Sequence, residues 1–423
     1  MNKKLEIICL VFAVLLSNIL YANDTPCHVS GFSNGYRVFY GFDFGEPKIS
    51  DHDLSIEGIV NEEINCVLND DAENNNTSDY AIVGHSQGGL RVLAYASMLK
   101  EREDAQESYD RLKAVITVSG IDRGLKALDG GFAPFRAKVL NDGEILGNGL
   151  IGVGGSCMLG AWADAVVILV GGTLGVPALL YNTWPYIFGY VGAGWIDADY
   201  ETIPEIYDMM PESNFIRTHV AESVKNTYKV QTGTKTTLEV RYKKVLFVNV
   251  PYVVTVTTPV YETIVNYTDK LKIDDSLPIG YIVGVNSNSL SMGLDEATEA
   301  NVRTGIAAAS TVMKIAQGIN LVKYCGSLGL LSSHKTYATY CENAANWLDN
   351  FDGELNELKG SSENDGLVAK ESQYYPMSAH SLVLGDTDKG YVTMNYNHAA
   401  IDPTTNTDVQ DKISDMLNSL ERK

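Results

Sequence analysis

The chain has 423 residues, 45% hydrophobic and 20% charged, a globular composition long enough for one large domain with a substantial insertion, or for two domains. Its formal net charge is -21 and its sequence pI is about 4.7. An acidic surface repels phosphate backbones, so the balance of charge argues against a nucleic-acid partner.

Residues 1–22 have the order of a secretory signal. Lys3 and Lys4 make a positive start, Ile7 to Leu20 is almost wholly apolar, and Tyr21-Ala22 puts a small residue before a plausible cut. The apolar run falls short of the ~20 residues a bilayer span needs. Cleavage near Ala22 and export, to the periplasm or beyond, are expected. With Cys9 in the signal, Cys27, Cys66, Cys157, Cys325 and Cys341 remain. An odd count implies at least one free thiol or an intermolecular bridge. Cys325 could pair with Cys341, and Cys27 with Cys66 is a weaker pairing. No spacing suggests a metal site.

A short strand ends in Val29-Ser30-Gly31-Phe32-Ser33, and Arg37 to Phe44 alternates as a second. Leu54 to Leu68 has helical apolar spacing, and Asp70 to Asp79 reads as a polar, Asn-rich loop. Tyr80 to Val83 is a buried strand, Leu90 to Leu99 a helix, and Ala114 to Val118 a β-branched strand. This alternation predicts an α/β fold: a mostly parallel sheet with helices on both faces.

From about Gly124 the pattern changes. Gly147 to Trp195 is rich in Gly, Leu, Val and aromatics, with Asp164 its one acid. Within it, Met158 to Leu180 is a long, mostly apolar run, but Gly171-Gly172, Gly175 and Pro177 would break a spanning helix. The stretch reads as a greasy cap, able to touch lipid surfaces transiently or to form a buried helical pair. Thr227 to Val265 is β-branched and alternating, as in an antiparallel hairpin or small sheet on the cap. Ile279 to Val285 returns to a buried strand, Asp295 to Leu358 is helical in two or three pieces, Gly390 to Tyr396 is a strand, and Asp408 to Leu420 a final amphipathic helix. The expected organisation is a core in three pieces, 23–123, 276–290 and 361–423, interrupted by a cap/lid insertion over 124–275 and a helical insertion over 291–360.

The chemistry centres on Gly84-His85-Ser86-Gln87-Gly88, a G-x-S-x-G set between strand and helix. Such a turn strains the serine backbone and exposes its hydroxyl, while small neighbours let strand and helix approach. Ser86 is therefore the candidate nucleophile, and Gln87 N–H, at the helix start, a candidate oxyanion donor. The serine needs a base. His398 follows the 390–396 strand, whereas His380 has no clear strand before it and His85 points away from its neighbour. The acid should lie between nucleophile and base, on a loop past a strand. Asp365, in Asn364-Asp365-Gly366, fits, although such a turn is also an ordinary use of those residues. The second oxyanion donor is expected from the loop after the first strand, at Phe32 N–H.

These segments resemble bacterial lipases of the α/β-hydrolase superfamily. G-H-S-Q-G-G at 84–89, N-D-G-L-V at 364–368 and N-Y-N-H at 395–398 are similar to the nucleophile, acid and base segments of the true-lipase family of pseudomonads. V-S-G-F at 29–32 stands where that family has V-H-G and a donor residue, and D-M-M-P-E-S at 208–213 resembles a Pro/Ser segment ahead of a core strand. The resemblance spans roughly 26–123, 204–216, 278–286 and 362–402, and neither insertion. Ser30 replaces the family's His. The family's calcium-ligating Asp, two residues after the base, is Ala400 here, so no calcium and no other cofactor is expected. The resemblance implies an exported serine ester hydrolase, a lipase acting on lipid esters. Alternatives are an acyltransferase or phospholipase with the same triad, or a non-catalytic binding protein on the same fold.

Overall fold

The computed structural model describes residues 29–33, 36–42, 55–74, 77–129, 132–155, 207–245, 248–288, 291, 296–327, 330–380, 382–385 and 388–420. The expected signal, Cys27, Cys157 and the apolar stretch from 158 to 195 lie outside them.

The centre is a mixed, mostly parallel sheet. Its strands are β1 (Val29–Ser33), β2 (Tyr36–Phe42), β3 (Tyr80–His85), β4 (Leu112–Val118), β7 (Ile279–Gly284), β8 (Val383–Leu384) and β9 (Val392–Met394). The spatial order is β1-β2-β3-β4-β7, and β8 and β9 share the far side of β7, one at each end. Only β1 runs antiparallel to its neighbour. Helices α1 (Ile56–Asn74) and α2 (Gln87–Glu101) cover one face, and α8 (Thr407–Leu420) the other. The pleat sorts β3 accordingly: Tyr80 and Ile82 join α1 and α2, while Ala81 and Val83 meet Ile413 and Leu417 of α8. Every residue of α2 from Gln87 to Leu99 is buried. At about 1.5–3 kcal/mol for each large apolar side chain withdrawn from water, Leu90, Leu93 and Leu99 hold that helix to the sheet.

Helix α1 runs six residues past the expected end, through Asp70 and Asp71. Both acids pair with the buried Arg37 of β2, and Asp71 also with Arg111 at the end of the short α3 (Gln106–Arg111). Tertiary ion pairing thus carries a polar stretch into helix, against its local preference for a loop.

The two expected insertions share one helical layer. Helix α4 (Phe132–Gly155) packs with α5 (Glu296–Gly326) and α6 (Ser332–Asp349), and α7 (Phe351–Lys359) continues from α6. A Cβ on Gly152 would lie 2.5 Å from Cys341 Sγ, so α4 and α6 approach through glycine. Cys325 and Cys341, the expected pair, are both free thiols, one exposed on α5 and one buried on α6. Cys66 is disulfide-bonded, to a cysteine outside the described residues. Among the described residues, α5 is the one helix long and apolar enough to cross a bilayer by length and composition. Between β4 and β7 stands a separate two-stranded ribbon, β5 (Ala221–Val245) with β6 (Val248–Leu271), far longer than a small hairpin.

Candidate active site

Ser86 sits in the turn between β3 and α2 with φ 58° and ψ -125°. This is a positive φ that a side-chain-bearing residue adopts only under constraint. The constraint is visible. Ser86 N–H donates to Val118 O on β4, and Ser86 O accepts from Gly89 N–H and Ile121 N–H. A Cβ on Gly84 would fall 2.1 Å from Gly88 O, so strand and helix meet where only glycine fits.

The residues singled out in the sequence converge. Ser86 Oγ lies 2.9 Å from His398 Nε2, and His398 Nδ1 lies 2.7 Å from Asp365 Oδ2. All three are buried, Asp365 completely. With Nδ1 bound to a carboxylate, the ring carries its proton there and turns Nε2 toward the serine hydroxyl as acceptor. The other oxygen, Asp365 Oδ1, accepts from Leu367 N–H at 3.0 Å and Val368 N–H at 2.7 Å. Burial pushes this carboxyl's pKa up. The His398 charge and hydrogen bond, with the two backbone N–H groups, outweigh that and leave it below the ordinary value. His398 N–H also donates to Asp365 O at 2.7 Å, so acid and base loops are joined through backbone as well as side chain.

The acid does not follow a strand directly, as expected, but the α7 helix, and other groups bring it to the sheet. Gln373, fully buried, takes Gly284 N–H on Oε1 and gives Nε2–H to Gly284 O and Val368 O. This clips the Asp365 loop to the end of β7. Lys359, closing α7, donates to Asn364 Oδ1 at 3.0 Å. Burial lowers the Lys359 ammonium to about 8, against the pull of Asp365 and Asp352. On the base side, His85 Nε2–H donates to His398 O at 2.9 Å and its ring lies 4.8 Å from that of His398. Asn397 holds the base loop by accepting Ala400 N–H and donating to Ser291 Oγ. Gln373, Lys359 and His85 carry no sequence signature; the roles depend on contacts across the sheet. His380 is a structural residue: its Nε2 meets Leu277 O at 2.7 Å, and burial lowers its pKa.

Beneath the turn lies a second carboxyl, Asp122. It is fully buried, accepts Thr117 Oγ1–H on Oδ2 at 2.8 Å, and has no hydrogen-bond partner for Oδ1. Burial raises its pKa well above the ordinary carboxylate value, only partly offset by Thr117, which favours the protonated form. A Cβ on Gly89 would sit 2.4 Å from Oδ1, so the second glycine of the 88–89 pair makes room for this acid against α2.

Gln87 is the first residue of α2, at the positive end of the helix dipole. It therefore stands where an oxyanion donor belongs. Phe32 does not, and the expectation for it is corrected. Phe32 pairs with Arg37, which pairs with Tyr80, six residues before Ser86. At ~3.3 Å per residue that is about 20 Å from the serine, at the opposite end of the sheet and one strand removed from β3. The strand beside β3 is β2, and it reaches the level of the serine at its own end, where Phe42 pairs with Gly84. The Pro/Ser segment expected near 208–213 lies over the elbow: Met209 Sδ is 3.6 Å from Gln87 Nε2, and Asp208 Oδ2 accepts Ile56 N–H to cap α1.

Among the described residues no cluster of His, Cys, Asp and Glu has a metal-binding arrangement. In comparisons with known proteins, no family model, no curated protein and no solved structure matches the chain.

Proposed function

We propose that the protein is an exported serine ester hydrolase on an α/β-hydrolase fold, a lipase that cleaves carboxylic esters of lipids through an acyl-enzyme on Ser86. The observation that carries this reading is the unbroken relay Ser86 Oγ, His398 Nε2, His398 Nδ1, Asp365 Oδ2, with steps of 2.9 and 2.7 Å, starting from a serine at positive φ. His398 takes the hydroxyl proton as Ser86 attacks the ester carbonyl, then gives it to the departing alcohol. A water activated by the same nitrogen releases the acid. Asp365 stays ionised, orients the ring and stabilises its charged form. Gln87 N–H faces the developing oxyanion, and the second donor comes from the chain at the end of β2, beside Gly84, rather than from Phe32.

The apolar run within 147–195 favours long acyl chains over acetate. The test is a fluorophosphonate probe followed by p-nitrophenyl esters of increasing chain length. Labelling that disappears in Ser86→Ala, with turnover rising toward longer chains, is expected. Absence of labelling at Ser86 removes the hydrolase reading in favour of a binding protein, and strict preference for acetate removes the lipid assignment.

A further inference from the structure

The β5–β6 ribbon is the element that the catalytic reading leaves without a role. It is a sheet of two strands only, paired from Ala221↔Leu271 out to Val245↔Val248 with one irregularity near Gly233. At ~3.3 Å per residue its 25-residue strand spans about 80 Å. A two-stranded hairpin is at best marginally stable alone in water. A ribbon of this length therefore calls for a surface to lie on.

Its composition says which surface. The chain as a whole has 53 acidic residues to 32 basic ones. The distal ribbon, from 229 to 261, inverts this: Lys229, Lys235, Arg241, Lys243 and Lys244 stand against the single acid Glu239. The register then places charge and grease side by side. Lys235 is opposite Thr258, Thr237 opposite Val256, Glu239 opposite Val254, Arg241 opposite Tyr252, and Lys243 opposite Val250. Alternate pairs share a face, so Lys235, Arg241 and Lys243, with Glu239 among them, hold register positions on the same face as Val250, Tyr252, Val254 and Val256. Basic residues next to valines and a tyrosine suit the headgroup layer of an anionic bilayer, where cations meet phosphates and the aromatic sits at the interface.

The root fixes where this surface lies relative to Ser86. Lys272 N–H donates to Val220 O, and Asp274 pairs with Lys100 at the end of α2 that is remote from the serine. Five residues earlier, within β6, Asp269 pairs with Arg123, two residues past Ile121, whose N–H is bonded to Ser86 O. The strand thus climbs the body toward the serine end of the sheet and leaves it on that side.

We propose that the β5–β6 ribbon docks the protein on anionic lipid surfaces through the face carrying Lys235, Arg241 and Lys243, with Lys244 reinforcing the charge near its tip. Docking is independent of the serine chemistry, so it is tested on the full-length Ser86→Ala chain. Partition onto phosphatidylcholine vesicles is compared with partition onto vesicles that also contain phosphatidylglycerol, by co-sedimentation at low and high salt. Salt-sensitive binding to the anionic vesicles only is expected. Replacing Lys235, Arg241, Lys243 and Lys244 together by Gln should weaken it by about several hundredfold, since each basic residue at such a surface contributes about fivefold. In the Ser86-containing chain the same four substitutions should leave turnover of a soluble p-nitrophenyl ester unchanged, which shows that the body is folded. Equal binding to neutral vesicles, or undiminished binding of the four-fold variant, overturns the proposal. A salt-sensitive dimer that ignores vesicles also overturns it, and assigns the ribbon to the acidic body of a second copy. Failure of Ser86 labelling would leave the vesicle result standing, so the two readings fall separately.

Discussion

The two ends of the central sheet each bury charge, and they use it oppositely. At the end remote from Ser86, Arg37 pairs with Asp70 and Asp71, and Arg111 with Asp71, which also receives Ser108 Oγ–H. Cations face anions directly, and the cluster locks β2, α1 and α3 together. At the other end, Asp365 is as deeply buried, but its counter-charge is a histidine that carries charge only when it takes a proton. That histidine is turned toward a serine in a strained backbone. The first arrangement sets fixed charge against fixed charge and holds. The second leaves Nε2 facing the serine hydroxyl, so on the proposed reading it has room for one proton, from Ser86. Burial of charge therefore says little about function until one asks whether the network can accept something more.

That contrast can be broken from either side. The largest effect should come from Ser86→Ala: turnover falls by about a million-fold while the melting temperature is nearly kept, because the side chain gives up a single hydrogen bond, to His398 Nε2. Asp365→Asn comes next, with a loss of about ten-thousandfold in kcat as the histidine loses its tautomer; a steady-state assay with a p-nitrophenyl ester reads both. Arg37→Met at the end remote from Ser86 should do the reverse. It leaves Asp70 and Asp71 uncompensated and costs about 3–5 kcal/mol in chemical denaturation, with kcat of the folded fraction unchanged.

Asp122→Asn sharpens the comparison through pH. The folded pKa of Asp122 lies above the unfolded one, so the unfolded chain releases a proton that the folded chain keeps. Stability then falls as pH rises from about 4 toward the folded pKa. Asparagine removes that loss, and the variant should gain melting temperature over wild type progressively across this window. A gain independent of pH would mean that Asp122 is ionised in the fold. The smallest effect is expected for His85→Phe, which leaves His398 O without its donor; about 1 kcal/mol, or about fivefold in kcat, is the expected loss.

The parts of this molecule that were legible in advance are those written in contiguous residues. Tyr80 to Val83 shows its strand by apolarity, and Gly84 shows the turn because a Cβ there would strike Gly88 O. The order of Ser86, Asp365 and His398 follows from segments that each carry local turn chemistry. The Phe32 expectation failed because it needed to know which strand lies beside β3. Two alternating segments, 29–33 and 36–42, look equivalent in the chain, and only their pairing shows that the second is the neighbour and that Phe32 sits at the wrong end. Asp70 and Asp71 read as loop because helix propensity cannot anticipate a buried arginine 33 or 34 residues away. The free thiols of Cys325 and Cys341 likewise follow from helix placement rather than spacing.

By itself the sequence determined the alternation of strands and helices, the strained serine turn and the choice of Asp365 and His398 as the residues to meet it, since all of these rest on short-range sterics, local turn chemistry and hydrophobic period. Strand order, the clip of Gln373 onto β7, the His85 bond to the base loop and the buried carboxyl of Asp122 under the serine turn were decided by tertiary structure alone. Those depend on which distant groups share a buried space, where an unpaired polar atom is costly enough to select its partner, and no local pattern in the chain encodes that choice.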